Sequence, residues 1–86
     1  MFKFYIVYSK NKDRYFLGVT TDLLQDRVDY LNTTKYGYTS SASDWTLVYF
    51  ELFKTKEEAH NRKTQVKAWK SRVLIEKLIN EQRNYL

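Results

Sequence analysis

Between Phe4 and Arg27, FYIVYSKNKDRYFLGVTTDLLQDR, the residue pattern leaves little choice of fold. Phe4, Tyr5, Ile6, Val7 and Tyr8 are β-branched or aromatic. Without Pro or Gly they predict a central strand. Lys10-Asn11-Lys12-Asp13-Arg14 is polar and suits a hairpin loop. Tyr15-Phe16-Leu17-Gly18-Val19 is the returning strand, so the two form an antiparallel hairpin. Gly18 inside a strand marks a bulge, a close approach to the backbone, or a packing gap beneath an aromatic. Thr20-Thr21-Asp22 supplies helix N-cap residues, and Leu23, Leu24, Arg27, Val28 and Leu31 follow at helical spacing. Asn32-Thr33-Thr34 ends that helix.

Residues 33–44 are rich in Thr, Ser, Gly and Tyr and show no apolar period, which predicts a long surface loop. Trp45 to Phe53 reads as a third strand. Thr55 and Glu58 form a capping box for a second helix running to about Lys70. Ala59, Arg62, Val66 and Trp69 fall on one side of it, with Arg62 burying only its stem. Lys56, Lys63, Lys67 and Lys70 fall along a neighbouring stripe. Ser71 caps a last helix whose apolar face is Val73, Leu74, Ile75, Leu78 and Ile79. The order is β-β-α-β-α-α. It predicts one α/β domain of the α+β kind over residues 1–86, a short mixed, mostly antiparallel three-stranded sheet flanked by helices.

A domain of 86 residues buries only about 60% of its unfolded surface, so its core must be dense. Eight Tyr, five Phe and two Trp provide the bulk. Absent Cys excludes disulfides, zinc ribbons and thiol chemistry, and a lone His, His60, argues against a transition-metal site. No apolar run is long enough for a membrane span or signal peptide, which predicts a cytoplasmic protein. The net charge of +5 is uneven. Residues 1–53 balance six Lys/Arg with six Asp/Glu, whereas residues 54–86 carry nine against four. Such asymmetry suits either an anionic partner, nucleic acid being the usual one, or a solubilising surface.

The element order and several strings together resemble the GIY-YIG endonuclease superfamily, small bacterial members above all. Tyr5 falls at the tyrosine of the first block, and Phe16-Leu17-Gly18 at the second. Thr20-Thr21-Asp22-Leu23 resembles the lead into the first helix, Tyr38-Thr39 and Asp44 to Tyr49 the approach to the third strand. Glu58-Ala59, Lys67 and Trp69-Lys70-Ser71-Arg72 resemble the tail. The family includes the nuclease domain of bacterial nucleotide excision repair and phage homing endonucleases. The resemblance therefore implies DNA cleavage: a tyrosine activating water, an arginine on the scissile phosphate, and a glutamate holding one divalent metal. Hydrolysis of a phosphodiester needs such parts.

On this chain the resemblance places Tyr5 and Arg27 as catalytic residues and Gly18 where the backbone meets the phosphate. Phe16 stands where the second tyrosine is expected and has no hydroxyl. Tyr15, beside it, points to the opposite face by strand alternation. Arg27 comes nine residues after Gly18, where the family arginine usually comes eight, and Asp26 takes the expected place. A one-residue insertion at the helix start would restore it; otherwise Arg27 pairs with Asp22 or Asp26 at the surface. Lys63 stands at the metal-binding glutamate. An ammonium has no lone pair and cannot ligate Mg²⁺. Lys63 is then either a residue at the cleft edge or one more solvated lysine. His60 lies outside the site by this alignment.

Three functions are compatible with this pattern. The first is a nucleic-acid-binding domain, DNA ahead of RNA, with weak or lost cleavage and no metal. Lys56, Lys63, Lys67, Lys70 and Arg72 then contact the backbone. The second is an active Mg²⁺-dependent endonuclease whose ligands are Glu51, or Asp22 and Asp26. The third is a protein-interaction domain using Tyr36-Gly37-Tyr38.

Overall fold

The computed structural model describes residues 1–84. Strands β1 (Phe2–Ser9), β2 (Arg14–Thr20) and β3 (Trp45–Phe53) form one sheet in the order β2-β1-β3. β1 is the central strand, and both pairings are antiparallel, so the sheet has no mixed character. Helix α1 (Leu24–Thr33) lies between β2 and β3 in sequence, and α2 (Lys56–Ala68) and α3 (Arg72–Arg83) follow β3.

Strand alternation divides β1 between two cores. Phe4 and Ile6 pack with Tyr49, Val66 of α2 and Ile79 of α3. Tyr5 and Val7 pack with Val28 and Leu31 of α1 and with Trp45. The sheet is therefore covered by α1 on one face and by α2 and α3 on the other. Between Ile6 and Val7 the register with β3 skips a residue, because Tyr49 faces Ile6 while Leu47 faces Val7. The extra residue, Val48, joins Tyr49 against the α2–α3 core, as a bulge allows.

The ends of the elements refine the sequence reading. The capping box at α2 forms: the Thr55 hydroxyl accepts from the Glu58 amide at 3.2 Å and donates to its carboxylate at 2.9 Å. Ser71 caps α3 by accepting from the Leu74 amide. At α1, however, the Thr20-Thr21-Asp22 triplet is not the cap. Thr20 Oγ1 accepts from the Asp22 amide at 3.1 Å, which closes a local turn, and Lys3 Nζ donates to the Asp22 carbonyl at 2.8 Å. The helix starts later, with Leu23 at the cap position and no side-chain cap. α2 stops at Ala68, and Lys70 takes a left-handed φ of 48° that turns the chain into α3. Lys70 therefore leaves the α2 stripe. On α3, Val73 is 74% and Leu74 44% exposed. The packed stripe is Ile75, Leu78 and Ile79 alone, since Val73 lies roughly 200° around the helix from Ile75 at about 100° per residue.

The segment 34–44 contains a short 3-10 turn, Tyr38–Ser41. Trp45 anchors it, its indole donating to the Thr39 carbonyl at 2.9 Å. The Asn32 side chain clasps the Trp45 backbone in both directions, donating at 2.9 Å and accepting at 2.7 Å. α1 and the start of β3 are thereby fixed to each other.

Candidate nucleic-acid interface

Tyr5 and Gly18 face each other across the β1–β2 register. A Cβ built at Gly18 would collide with the Tyr5 hydroxyl and ring. Of the three roles open to this glycine, the Tyr5 ring lying over it decides for a packing gap beneath an aromatic. Tyr5 is 1% exposed, so the tip of its ring is covered as well. There its hydroxyl oxygen accepts from Arg27 Nε at 3.2 Å. Arg27 also lies 4.9 Å over the Tyr30 ring and makes no ion pair with Asp22 or Asp26 among the described residues. The late start of α1 accompanies this reach. Accepting from Nε, the phenol orients the guanidinium, whose remaining N–H groups are donors only.

Arg27 lines a hollow of about 370 Å³ together with Asp22, Lys56 and His60. Val19 and Phe2 form its apolar wall. Lys56 begins α2, so the positive end of the helix dipole adds to the same field. His60 is solvent-exposed, yet it stands on the wall of the hollow that holds Arg27. The family resemblance places His60 outside the site, and its exposure agrees with a solvated side chain, although the hollow reaches it. The signal lies in the spacing: Lys56, His60, Lys63 and Lys67 fall within about 60° of one another on an ideal helix.

Lys63 is half-buried, one turn beyond His60 and one turn before Lys67. It pairs with no carboxylate among the described residues. Because α2 covers the face opposite Tyr5, Lys63 can share a ligand with Tyr5 and Arg27 only around the open edge of β2. Phe16 lies on the Tyr5 face, packed with Trp45 and Tyr38. Tyr15 lies on the other face and its hydroxyl donates to Glu76 at 3.0 Å. Tyr15 therefore does not replace the hydroxyl that Phe16 lacks.

Two of the sequence candidates do not join this surface. Arg72 donates to the Asp13 carboxylate at 2.6 Å and to Glu76 at 3.3 Å, and lies 5.4 Å over the Tyr15 ring. It pins the hairpin loop to α3 and is not a free cation. Lys70 is exposed but sits in the α2–α3 turn. Glu51 is also removed as a metal ligand: it faces Phe4, opposite Tyr5, and its carboxylate accepts from Arg62 at 2.9 Å and from the Tyr49 hydroxyl. Burial first, and then that hydrogen bond, push the Tyr49 phenol up to about 12.

A hydrolytic Mg²⁺ keeps several waters and is held by one or two carboxylates whose charge is not already taken up by neighbouring cations. The hollow has one carboxylate, Asp22, against Arg27 and Lys56. Among the described residues no group of three or more His, Cys, Asp or Glu could hold a metal ion. The residues present do not fit one.

The family model described as the GIY-YIG catalytic domain matches residues 1–79 of this chain. The chain belongs to the GIY-YIG family. No curated protein and no solved structure matches it. Membership in the GIY-YIG family gives the domain a nuclease-like setting in which nucleic acid is the partner. The match spans β1 to most of α3, so the hairpin, α1 and the α2 stripe of this GIY-YIG domain all lie inside it. No helix among its described residues is long and apolar enough to cross a membrane.

Proposed function

We propose that this GIY-YIG domain binds nucleic acid, DNA ahead of RNA, at the edge of β2, and hydrolyses phosphodiesters weakly or not at all. The observation that carries this reading is the hollow in which Arg27, held by Tyr5, meets Lys56 and His60 with a single carboxylate beside them. Such a site is rich in donors and positive charge, which suits a phosphate diester, and it sets its one carboxylate against two cations, which disfavours a divalent metal. Arg27 contacts the phosphate, and Tyr5, buried behind it, orients the guanidinium. Lys63 and Lys67 extend the charge along α2, giving contacts to the backbone that carry no sequence information. DNA is placed ahead of RNA because the repair and homing nucleases that the chain resembles act on DNA.

Supercoiled plasmid incubated with the domain and Mg²⁺, and separately with Mn²⁺, tests the catalytic half. The expected result is intact plasmid at protein concentrations that retard a labelled oligonucleotide. Cleavage abolished by Tyr5→Phe would overturn it.

A further inference from the structure

The basic stripe of α2 does not end at the Arg27 hollow. At the opposite end of the exposed edge of β2 lies a second hollow, of about 410 Å³. Phe16, Tyr38 and Lys67 line it, together with Tyr15, Leu17 and Ile75. The Phe16 and Tyr38 rings are nearly parallel, inclined by 20° with centroids 6.2 Å apart. Phe16 is held from behind by Trp45, and Tyr38 is 58% exposed. The surface is therefore a supported aromatic stack, with Tyr38 outermost and an ammonium beside it. Tyr38 is tied to the core through its turn, since Trp45 holds the Thr39 carbonyl next to it.

An aromatic plate flanked by cations suits an unpaired nucleobase. The base stacks on the rings while its phosphate meets the cation, and every base has a π-face to present. A duplex keeps those faces stacked on one another. Phe16 gains meaning in this setting: a phenyl group without a hydroxyl is lost to acid–base chemistry but stacks as well as a phenol. From Lys67 the stripe passes Lys63 and His60 to Lys56, roughly 16 Å along the helix axis at 1.5 Å per residue. The two hollows are thus joined by a cationic rail.

Resting on the nucleic-acid reading above, we propose that the preferred substrate has unpaired bases. One base stacks in the Phe16–Tyr38 hollow, and the phosphates next to it follow Lys67, Lys63 and Lys56 to Arg27.

Fluorescence anisotropy with a labelled oligonucleotide of mixed sequence, alone and as a duplex of the same length, tests this at one salt concentration. The single strand is expected to bind at least several-fold tighter. Tyr38→Ala is expected to cut single-strand affinity on the order of tenfold, in line with the loss of one base stack, and duplex affinity by much less. Tyr38→Trp, which keeps the plate, is expected to retain single-strand affinity. Circular dichroism confirms that each variant is folded. Equal binding of the two forms, or a folded Tyr38→Ala variant with unchanged single-strand affinity, would overturn the inference and leave the nucleic-acid reading standing. Failure to bind either form at low salt would overturn both.

Discussion

The Tyr5 ring occupies the space that any side chain at position 18 would need. The two residues are direct partners across β1 and β2, and the Tyr5 hydroxyl at the end of that ring accepts from Arg27. Gly18→Ala must therefore push the ring or the strand aside. Overpacking of this kind costs about 1–3 kcal/mol. Urea denaturation is expected to show that loss for Gly18→Ala alone and a clearly smaller one in a Tyr5→Leu background, since neighbours that collide are non-additive.

Arg27 is the donor that the Tyr5–Gly18 pair presents to the hollow. Arg27→Ala is expected to weaken oligonucleotide binding with little loss of stability, because its guanidinium is at the surface of the core. If it meets one phosphate, the slope of log K against log salt becomes shallower by about 0.7 for a single strand. Arg27→Lys keeps the charge but loses the Nε geometry, and should retain most of the slope with reduced affinity.

The hairpin loop is tied to α3 through Asp13. Its carboxylate accepts from Arg72 and from the Tyr8 hydroxyl, both at 2.6 Å, and these contacts hold it down to about 2. A lowered folded-state value means stability that is complete above the unfolded carboxylate range and lost as pH falls through about 2. Asp44 is lowered in the same sense by Ser9 and the Asn11 amide. Thermal melts between pH 5 and pH 2 should show a declining midpoint (about the window of carboxylate protonation). Asp13→Asn should flatten that decline and Asp44 should account for part of what remains.

Lys70 holds a left-handed φ of 48° without the freedom of glycine. Lys70→Gly is expected to stabilise the domain by roughly 0.5–1 kcal/mol, the usual gain where a side chain is removed from that region. Because Lys70 stands off the α2 stripe, single-strand affinity should fall far less than in Lys67→Ala. Chemical denaturation and anisotropy read the two effects separately.

Much of this architecture is written locally in the sequence. β1 is central because five consecutive apolar residues without Gly or Pro have to be covered on both faces, and Tyr15 turns away from Tyr5 by simple alternation. The start of α1 is not legible, because Thr20 uses its hydroxyl to close a turn on the Asp22 amide instead of capping a helix. Arg72 resembles a free cation for a comparable reason: its partner Asp13 lies far away in the chain and is brought to it only by the packing of α3. His60 escapes notice because an alignment to the family weighs single positions, whereas the hollow is formed by elements from both faces meeting around a sheet edge. The Phe16–Tyr38 plate depends on a turn with no apolar period, and nothing in residues 34–44 announces which ring is held.

An open row of cations on α2 is expected to grip a polyanion. The measurement that tests it most directly is the salt dependence of oligonucleotide binding for the wild type and for the triple variant Lys56→Gln, Lys63→Gln, Lys67→Gln. In the wild type log K is expected to fall linearly with log salt. The triple variant should bind weakly, with a slope shallower by about 0.7 for each phosphate that the missing ammonium groups would have neutralised. Equal affinities and equal slopes for the two proteins would contradict it.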